Sequence, residues 1–319
     1  MKYRIINLLI FLFVGIFLVC TLVATWIYIP FNSVDPTIKA LEIPFDYNSV
    51  KIRHLLEEEG IIRPYNIVFQ LLTRAMKADG KLQSGEYQFS SSQNLLQIIE
   101  MLVRGKVMLH KITIPEGFQN KQIARLLEEK GIAEYEELMQ LIQEDNEYQE
   151  GYLFPDTYTV PKNYGARNTL NLLVNNFKKI VFAHIDPEQE FPADLDFHQI
   201  VILASIIEKE AQGKDDKPKI ASVFYNRLIS GMRLQSCATV QYLLDEPKEE
   251  LTYTELEIES PFNTYLNYGL PPAPICNPGL DSILAAAEPA NEEYIFFVVG
   301  KEGEHVFSKT YEEHLDNKP

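Results

Sequence analysis

The sequence has few of the residues that bind metal ions or form disulfide networks. It contains three cysteines, six histidines and one tryptophan among 319 residues. The histidines are scattered, there is no HExxH motif, and no two cysteines stand close together, so the patterns typical of a zinc site are missing. The chain also lacks a phosphate-binding GxxxxGK segment and a GxSxG nucleophile turn. We therefore expect neither a metal ion nor another cofactor.

Positive charge is also scarce. Lys and Arg number 29 against 45 Asp and Glu, which gives a net charge of −16 and a pI of about 4.9. Because phosphate backbones require a basic surface, this balance argues against binding to nucleic acid. It is compatible with a neutral or amphoteric polymer, such as a glycan that carries peptides.

Charged residues are missing altogether from residues 5–29, which are mostly apolar. As a helix, this run would extend roughly 37 Å and cross a ~30 Å hydrocarbon layer. Lys2 and Arg4 precede it, so the positive-inside rule places residues 1–4 in the cytoplasm and the rest of the chain outside. A cleaved signal peptide is the alternative, but such apolar runs are usually only ~7 to 15 residues long. We predict a retained single-pass anchor.

An internal repeat follows the apolar run. At an offset of 71 residues, IPFDYNSVKIRHLLEEEGI from Ile43 aligns with IPEGFQNKQIARLLEEKGI from Ile114. Each copy predicts a strand, an amphipathic helix closed by Gly60 or Gly131, a second helix and a Tyr-containing strand. We assign residues 40–109 and 110–165 to two related α+β modules, which either pack as spacers or recognise a polysaccharide. The EGYLFPDTY segment from Glu150 suits either a sugar cleft or a tight turn in a core.

A catalytic domain is predicted over residues 190–319. Asp194 or Asp196 caps a helix whose apolar stripe is typical of a core element, and Gly213 follows its end. A second helix is expected from a cap at Asp216 to a terminator at Gly231.

Glu208 lies late in the first of these helices, on a neighbouring face above Val201, Ala204 and Ser205. We expect this small-residue face to leave room for a ligand and to raise the pKa of the glutamate, whereas Lys209 and Glu210 are expected to face solvent. A solvated surface role is the ordinary alternative for such a glutamate.

Three loops rich in turn-forming residues follow, and their neutral side chains suit hydroxyls and amides. They begin at Met232, Ser260 and Gly269. The candidate substrate-binding residues in and before these loops are Asn226, Gln235, Thr239, Asn263 and Tyr265. Each also has an ordinary role as a stabiliser of a turn or a strand.

Several motifs in one order closely resemble the YceG-like endolytic murein transglycosylases. They are ASIIEKEAQGKDDKPKIASVFYNRLISGMRLQSCATVQY from Ala204, SPFNTY from Ser260 and GLPPAPICNPG from Gly269. Upstream, LQSGEY, IPEG and LFPDTY extend the resemblance over most of the chain beyond the anchor. The implied fold is α+β: one N-terminal transmembrane helix, a LysM-like module over residues 40–109, the related module over 110–165 and a mixed α/β catalytic domain.

The resemblance also implies an activity. The expected reaction cleaves the β-1,4 bond between N-acetylmuramic acid and N-acetylglucosamine inside peptidoglycan strands and leaves 1,6-anhydromuramic ends. Glu208 matches the catalytic glutamate of the family. The implied setting is the outer side of a bacterial cytoplasmic membrane. There the activity would end the elongation of nascent glycan strands beside the cell-wall synthases, which are penicillin-binding proteins.

One carboxyl group suffices for this chemistry, because the C6 hydroxyl of the muramic acid is a nucleophile already attached to the substrate. We hypothesise that Glu208 protonates the leaving O4 and then removes the proton from the C6 hydroxyl. Two alternatives remain: a non-catalytic peptidoglycan-binding scaffold, and a hydrolase that uses a second carboxylate such as Glu116 or Asp245.

The chain departs from the family pattern at two cysteines. Cys237-Ala238 replaces the Asp-Pro that many members carry, and Cys276 lies in the proline-rich loop. In an oxidising compartment their paired appearance favours a disulfide between the two loops but does not establish one.

Overall fold

The computed structural model describes residues 2–244, 246, 248, 250–301 and 303–318, and Asp245 therefore lies outside the described residues. The chain divides into two compact units. The first comprises the residues up to His110 together with Val160–Asn163, and the second comprises Lys111–Thr159 and the residues from Tyr164 onward.

The first unit begins with a long apolar helix. Its elements are α1 (Lys2–Tyr28), β1 (Ile38–Ile43), α2 (Ser49–Glu58), α3 (Ile67–Ala75), β2 (Gly85–Ser90) and α4 (Leu95–Arg104). The segment Tyr3–Tyr28 of α1 is long and apolar enough to cross a membrane. Strands β1 and β2 pair antiparallel, with Ile38 opposite Ser90 and Ile43 opposite Gly85. Helices α2, α3 and α4 cover a core that includes Ile52, Phe69, Tyr87 and Ile99.

The remaining α-helices and strands lie in the second unit, except that His110 of β3 and Val160 of β4 belong to the first. They are β3 (His110–Thr113), α5 (Asn120–Glu129), α6 (Tyr135–Glu144), β4 (Thr157–Val160), α7 (Ala166–Val181), α8 (Phe197–Glu210), α9 (Lys217–Ile229), α10 (Cys237–Gln241), α11 (Tyr253–Leu256), α12 (Leu280–Ala287), β5 (Phe296–Val299), β6 (His305–Ser308) and α13 (Tyr311–Asp316). Strand β3 pairs with β4, and β5 pairs with β6. The predicted α+β class with one N-terminal apolar helix is confirmed.

The predicted repeat of a strand, two helices and a Tyr-containing strand is present in both copies, from β1 to β2 and from β3 to β4. The register agrees as well: Ile43 pairs with Gly85, and 71 residues later Ile114 N–H donates to Asp156 O. In each copy the strand tyrosine donates its hydroxyl to the carbonyl four residues earlier, Tyr87 to Gln83 and Tyr158 to Phe154. Gly60 and Gly131 follow their helices with φ of +69° and +67°. The repeated sequence therefore repeats its hydrogen bonds.

Helix α8 is the central element of the second unit. It begins with a capping box in which Asp196 accepts from Gln199 N–H and Gln199 accepts from Asp196 N–H, so Asp196 is the cap. Every residue from Ile200 to Ile207 is buried, because α9, α12 and the loop before α12 enclose the helix. A helix enclosed in this way gives Glu208, near its end, a fixed position.

Candidate active site

The carboxylate of Glu208 lies where three helices meet. Lys217 Nζ, at the start of α9, donates to both carboxylate oxygens at 3.3 and 3.2 Å. Gly279 N–H and the Ser282 hydroxyl, at the start of α12, donate to Oε2 at 2.9 and 2.7 Å. The side chains of Glu208 and Lys217 are each 9% exposed. A nearly buried ion pair with two further hydrogen bonds holds this carboxylate in one orientation.

A second carboxylate faces the same ammonium group. Glu116 Oε2 lies 3.8 Å from Lys217 Nζ, and its side chain is 53% exposed. Gly117 N–H donates to Asn277 O, which holds the Glu116 segment beside the start of α12. Partial burial and the charge of Glu208 raise the pKa of Glu116, while Lys217 opposes the rise. Two carboxyl groups therefore flank one buried lysine.

Gly279 lies beside both carboxyl groups. A Cβ at this position would lie 2.0 Å from Glu116 Oε1, so a larger residue would displace the end of that flexible side chain. The backbone N–H of Gly279 donates to Glu208. Both carboxyl groups are therefore next to the start of α12.

The expected opening beside Glu208 is filled. Val201, Ala204 and Ser205 are fully buried, and Ser205 Oγ accepts from Ile275 N–H in the proline-rich loop. The prediction of an open apolar face for a ligand is therefore wrong, because that loop packs onto it. The groups that contact the carboxylate are polar instead: Lys217, Gly279 and Ser282. These three residues were not identified from the sequence.

Asn277 connects the segments around the site. Its Oδ1 accepts from Gly151 N–H and Leu153 N–H, at 3.1 and 2.8 Å. Its Nδ2 donates to Phe118 O, Asn120 Oδ1 and Glu150 Oε1. The side chain is fully buried. The GYLF segment is thus part of the core, and one amide fixes both it and the IPEGF segment to the loop before α12.

A cavity of about 470 Å³ lies at the C-terminal end of α8. Glu208 does not line it, whereas Glu210 does, together with Gln235 and Tyr265. Aromatic and basic side chains form part of the wall, among them Arg227, Phe296, His305, Tyr311 and His314. Aromatic faces combined with hydrogen-bonding groups suit a sugar or a peptide.

Glu210 is half-buried, contrary to the expectation that it faces solvent. Its carboxylate accepts from the Ser236 hydroxyl and from Ala238 N–H at the start of α10. It therefore anchors the loop that carries Gln235 and Cys237. Gln235 itself has a φ of +49° and is exposed to the cavity.

Three of the candidate binding residues are occupied in structural contacts. Asn226 Nδ2 donates to the carbonyls of Glu292 and Tyr294. Thr239 and Asn263 are fully buried. The Thr239 hydroxyl donates to Ser236 O, and Asn263 Nδ2 donates to the carbonyls of Leu256 and Ile258. Of the five candidates, the structure brings only Gln235 and Tyr265 to the cavity.

Two further expectations differ from the structure. Cys237 and Cys276 are free thiols with separate neighbours: Cys237 Sγ contacts Tyr265 Oη at 3.0 Å, and Cys276 is buried against Ser205 O. The favoured disulfide is thus absent from the structure. Asp216 precedes α9 without capping it, because its carboxylate pairs with His305 Nδ1 at 2.9 Å.

Comparisons with known proteins agree with the motifs. The model of the YceG-like family matches residues 41–319. An endolytic murein transglycosylase of Bacillus subtilis is 32% identical over 310 residues, which cover 89% of this chain and 85% of the relative. One of Streptococcus pneumoniae is 26% identical, and the match covers 86% of this chain but 57% of that longer protein. The crystal structure of a yceG-like protein from Listeria monocytogenes is 33% identical with a TM-score of 0.57, covering 89% of this chain and 100% of that one.

Proposed function

The chain belongs to the YceG-like family, and from this we propose that it is an endolytic murein transglycosylase, a lyase, with Glu208 as its acid and base. The observation that carries the proposal is the fixed Glu208 carboxylate, which accepts from Lys217, Gly279 and Ser282 at the meeting point of three helices. A solvated surface glutamate would have no such set of buried donors. The substrate is peptidoglycan, and its glycan strands are cut internally.

The proposed reaction has two steps at one carboxyl group. Glu208 first gives a proton to the O4 of the leaving N-acetylglucosamine as the bond to C1 of N-acetylmuramic acid breaks. It then takes the proton from the C6 hydroxyl, whose oxygen attacks C1 and closes the 1,6-anhydro ring. Lys217 and the α12 donors orient the carboxylate throughout. The second step returns to Glu208 the proton that the first step uses, so the cycle leaves the carboxyl group as it began.

The rest of the molecule fits a membrane-bound enzyme. We assign α1 as a single-pass anchor with residues 1–4 in the cytoplasm and the catalytic unit outside, where peptidoglycan is assembled. The module over residues 40–109 is proposed to be LysM-like, followed by the related module over 110–165 and the catalytic domain over 190–319. Gln235 and Tyr265, which line the cavity, are proposed to bind sugar. Penicillin-binding proteins are the proposed partners. The proposed role of the cleavage is to end the elongation of nascent glycan strands.

A hydrolase is the second candidate, because Glu116 and Glu208 share one lysine. Their contacting oxygens lie 3.8 and 3.2 Å from Lys217 Nζ, so they are no more than 7.0 Å apart. Carboxyl pairs of glycoside hydrolases are separated by about 5 to 9.5 Å, and this upper limit falls inside that range. A water-added reducing end would be the product of this alternative.

The deciding experiment is a digest of peptidoglycan by the full chain in detergent, with the products identified by mass spectrometry. We expect anhydro ends, and we expect Glu208→Gln to lower their rate of formation on the order of a thousandfold. The matched control is Glu129→Gln on the surface of α5, which should act like the unmodified chain. Water-added ends that require Glu116 would support the hydrolase, and no products from any variant would support a binding scaffold.

A further inference from the structure

Helix α3 carries an exposed apolar stripe that nothing in the first unit covers. Ile67 and Leu71, at positions i and i+4, are 60% and 55% exposed, and Tyr65 just before the helix is 87% exposed. The opposite face of the helix is buried in the core through Val68, Phe69 and Thr73. The core of the unit therefore accounts for one face of the helix, and the apolar residues of the other face form a contiguous exposed patch available to a second apolar environment.

Helix α1 indicates the level of the second environment. Every described side chain from Tyr3 to Leu22 is exposed, and contact with the core of the unit begins at Val23 and continues at Trp26 and Ile27. Counted from Ile5, the first residue after the proposed cytoplasmic segment, twenty residues of helix extend about 30 Å and end at Ala24, which matches the thickness of the hydrocarbon layer. The last turns of α1, where it packs on the unit, therefore lie at the outer headgroup level. Trp26 and Tyr28 are the aromatic residues typical of that level.

No free linker separates the anchor from the unit. Arg63, four residues before α3, donates to the carbonyls of Ile29 and Pro30 at 3.2 Å. Asn32 N–H donates to Ser91 O, and Thr37 N–H donates to Ser91 Oγ. Because α3 also packs against α1, the anchor fixes the height of α3 above the membrane.

The charge of this region differs from that of the rest of the chain. Residues 61–81 contain four basic residues, Arg63, Arg74, Lys77 and Lys81, and one acidic residue, Asp79. Arg74 lies seven residues after Ile67 and therefore on the same face of the helix as Ile67 and Leu71. Its side chain is exposed. In a chain with a net charge of −16, such a segment matches the anionic headgroups of a bilayer.

We propose that the face formed by Tyr65, Ile67, Leu71 and Arg74 binds the outer surface of the lipid bilayer as a second, peripheral membrane contact. The apolar side chains enter the boundary between headgroups and acyl chains, and Arg74 stays among the phosphates. The contact holds the first unit against the membrane, where α1 alone would leave it free to tilt. This inference rests on the proposed membrane anchoring and is independent of the catalytic proposal.

The test measures lipid contact of single labelled positions in the full chain, reconstituted in phosphatidylethanolamine–phosphatidylglycerol nanodiscs. Cys20 and Cys237 are replaced by serine, and a bimane probe is attached to Leu71→Cys or, in a second variant, to Ile67→Cys. Leu12→Cys, in the middle of the exposed part of α1, reports the anchoring itself. Phe45→Cys is the matched control, since Phe45 is 96% exposed but lies beyond the far end of β1, about 20 Å of strand from Thr37.

The readout is quenching by lipids that carry a spin label near the headgroup, for positions 45, 67 and 71, or deep in the acyl chain, for position 12. We expect the probes at positions 67 and 71 to be quenched severalfold more than the probe at position 45. Quenching at position 12 without quenching at 67 and 71 would overturn the inference while leaving the anchor intact. No quenching at position 12 would overturn both. If a second copy covers the face instead, Leu71→Cys will form chain-to-chain disulfides without lipid quenching, which also contradicts the proposal.

Discussion

At the residue scale, Lys217 is a nearly buried cation that contacts two carboxylates, Glu116 and the proposed catalytic group Glu208. Glu208, Glu116 and Lys217 carry a net charge of −1 when all three are ionised. Lys217 opposes the effects of burial and of the charge of Glu208 on the pKa of Glu116. Removing the ammonium group leaves two like charges close together, a situation that makes it harder for both carboxyl groups to ionise.

Replacing Lys217 by methionine should therefore shift the pH profile of activity. Methionine keeps much of the buried volume but not the charge, so the pKa of Glu116 rises further and Glu116 keeps its proton to higher pH. We expect the alkaline limb of the kcat/KM profile to move upward by roughly one pH unit or more. The measurement is the rate of release of anhydro products between acid and alkaline pH.

Two controls separate charge from packing at position 217. Lys217→Arg retains the cation and should leave the alkaline limb where it is, whereas Lys130→Met removes an exposed lysine that directly follows α5 and should change nothing. An unshifted alkaline limb in Lys217→Met, with the rate alone reduced, would show that Lys217 does not control the protonation of Glu116.

The sequence identified Glu208 through the motifs around it but could not identify its partners. Lys217, Gly279 and Ser282 contact it because α8, α9 and α12 pack together, and up to 74 residues separate the members of these pairs. Helical periodicity shows that a face is buried but not which element buries it. The same limit applies to Val201 and Ser205, whose small side chains fit a packed loop as well as they fit a ligand.

At the scale of elements, local signals were more informative. The repeat predicted the order from β1 to β2 and again from β3 to β4, since both copies carry the same alternation of strand and helix residues. The Asp196 cap agreed because a capping box depends only on residues three positions apart. Asp216 did not cap its helix, because His305, 89 residues away, binds its carboxylate. Local rules fail where a distant charged partner competes.

The turn at Gly151 gives a prediction at this scale. Gly151 has a φ of +95°, and a Cβ there would lie 2.7 Å from Pro274 Cγ and 2.9 Å from Val201 Cγ1. Gly151→Ala combines backbone strain with a clash between the turn, the proline-rich loop and α8. We expect a loss of unfolding free energy on the order of 3 kcal/mol, measured by urea denaturation.

Gly213→Ala is the matched control for this turn. A Cβ at Gly213 would meet nothing within 4 Å, and its φ is outside the left-handed region. Its stability should equal that of the unmodified chain within about 0.5 kcal/mol. Equal stability of both variants would mean that the loop and α8 move apart without cost.

At the scale of the whole molecule, one buried acid links stability to pH. Glu150 Oε1 accepts from Asn120 N–H and Asn277 Nδ2, and burial raises its pKa from 4.5 to about 8. Below 4.5 the acid is protonated in the folded and unfolded chain alike. Between 4.5 and 8 the folded chain holds a proton that the unfolded chain has released, so unfolding free energy falls as pH rises through this window. Above 8 this contribution stays constant.

Glu150→Gln should remove this dependence while keeping both hydrogen bonds, because the amide oxygen accepts as the carboxyl oxygen does. We expect the variant to be as stable as the unmodified chain at pH 4.5 and more stable by a few kcal/mol at pH 8. Unfolding in urea at several pH values measures the difference in unfolding free energy between the variant and the unmodified chain. Subtracting the two values cancels the general repulsion of a chain with a net charge of −16.

Glu144→Gln, on the exposed end of α6, is the control and should leave this difference near zero at every pH. A pH-independent effect of Glu150→Gln would contradict the raised pKa, because removing an acid that is ionised in both states changes stability equally across the window.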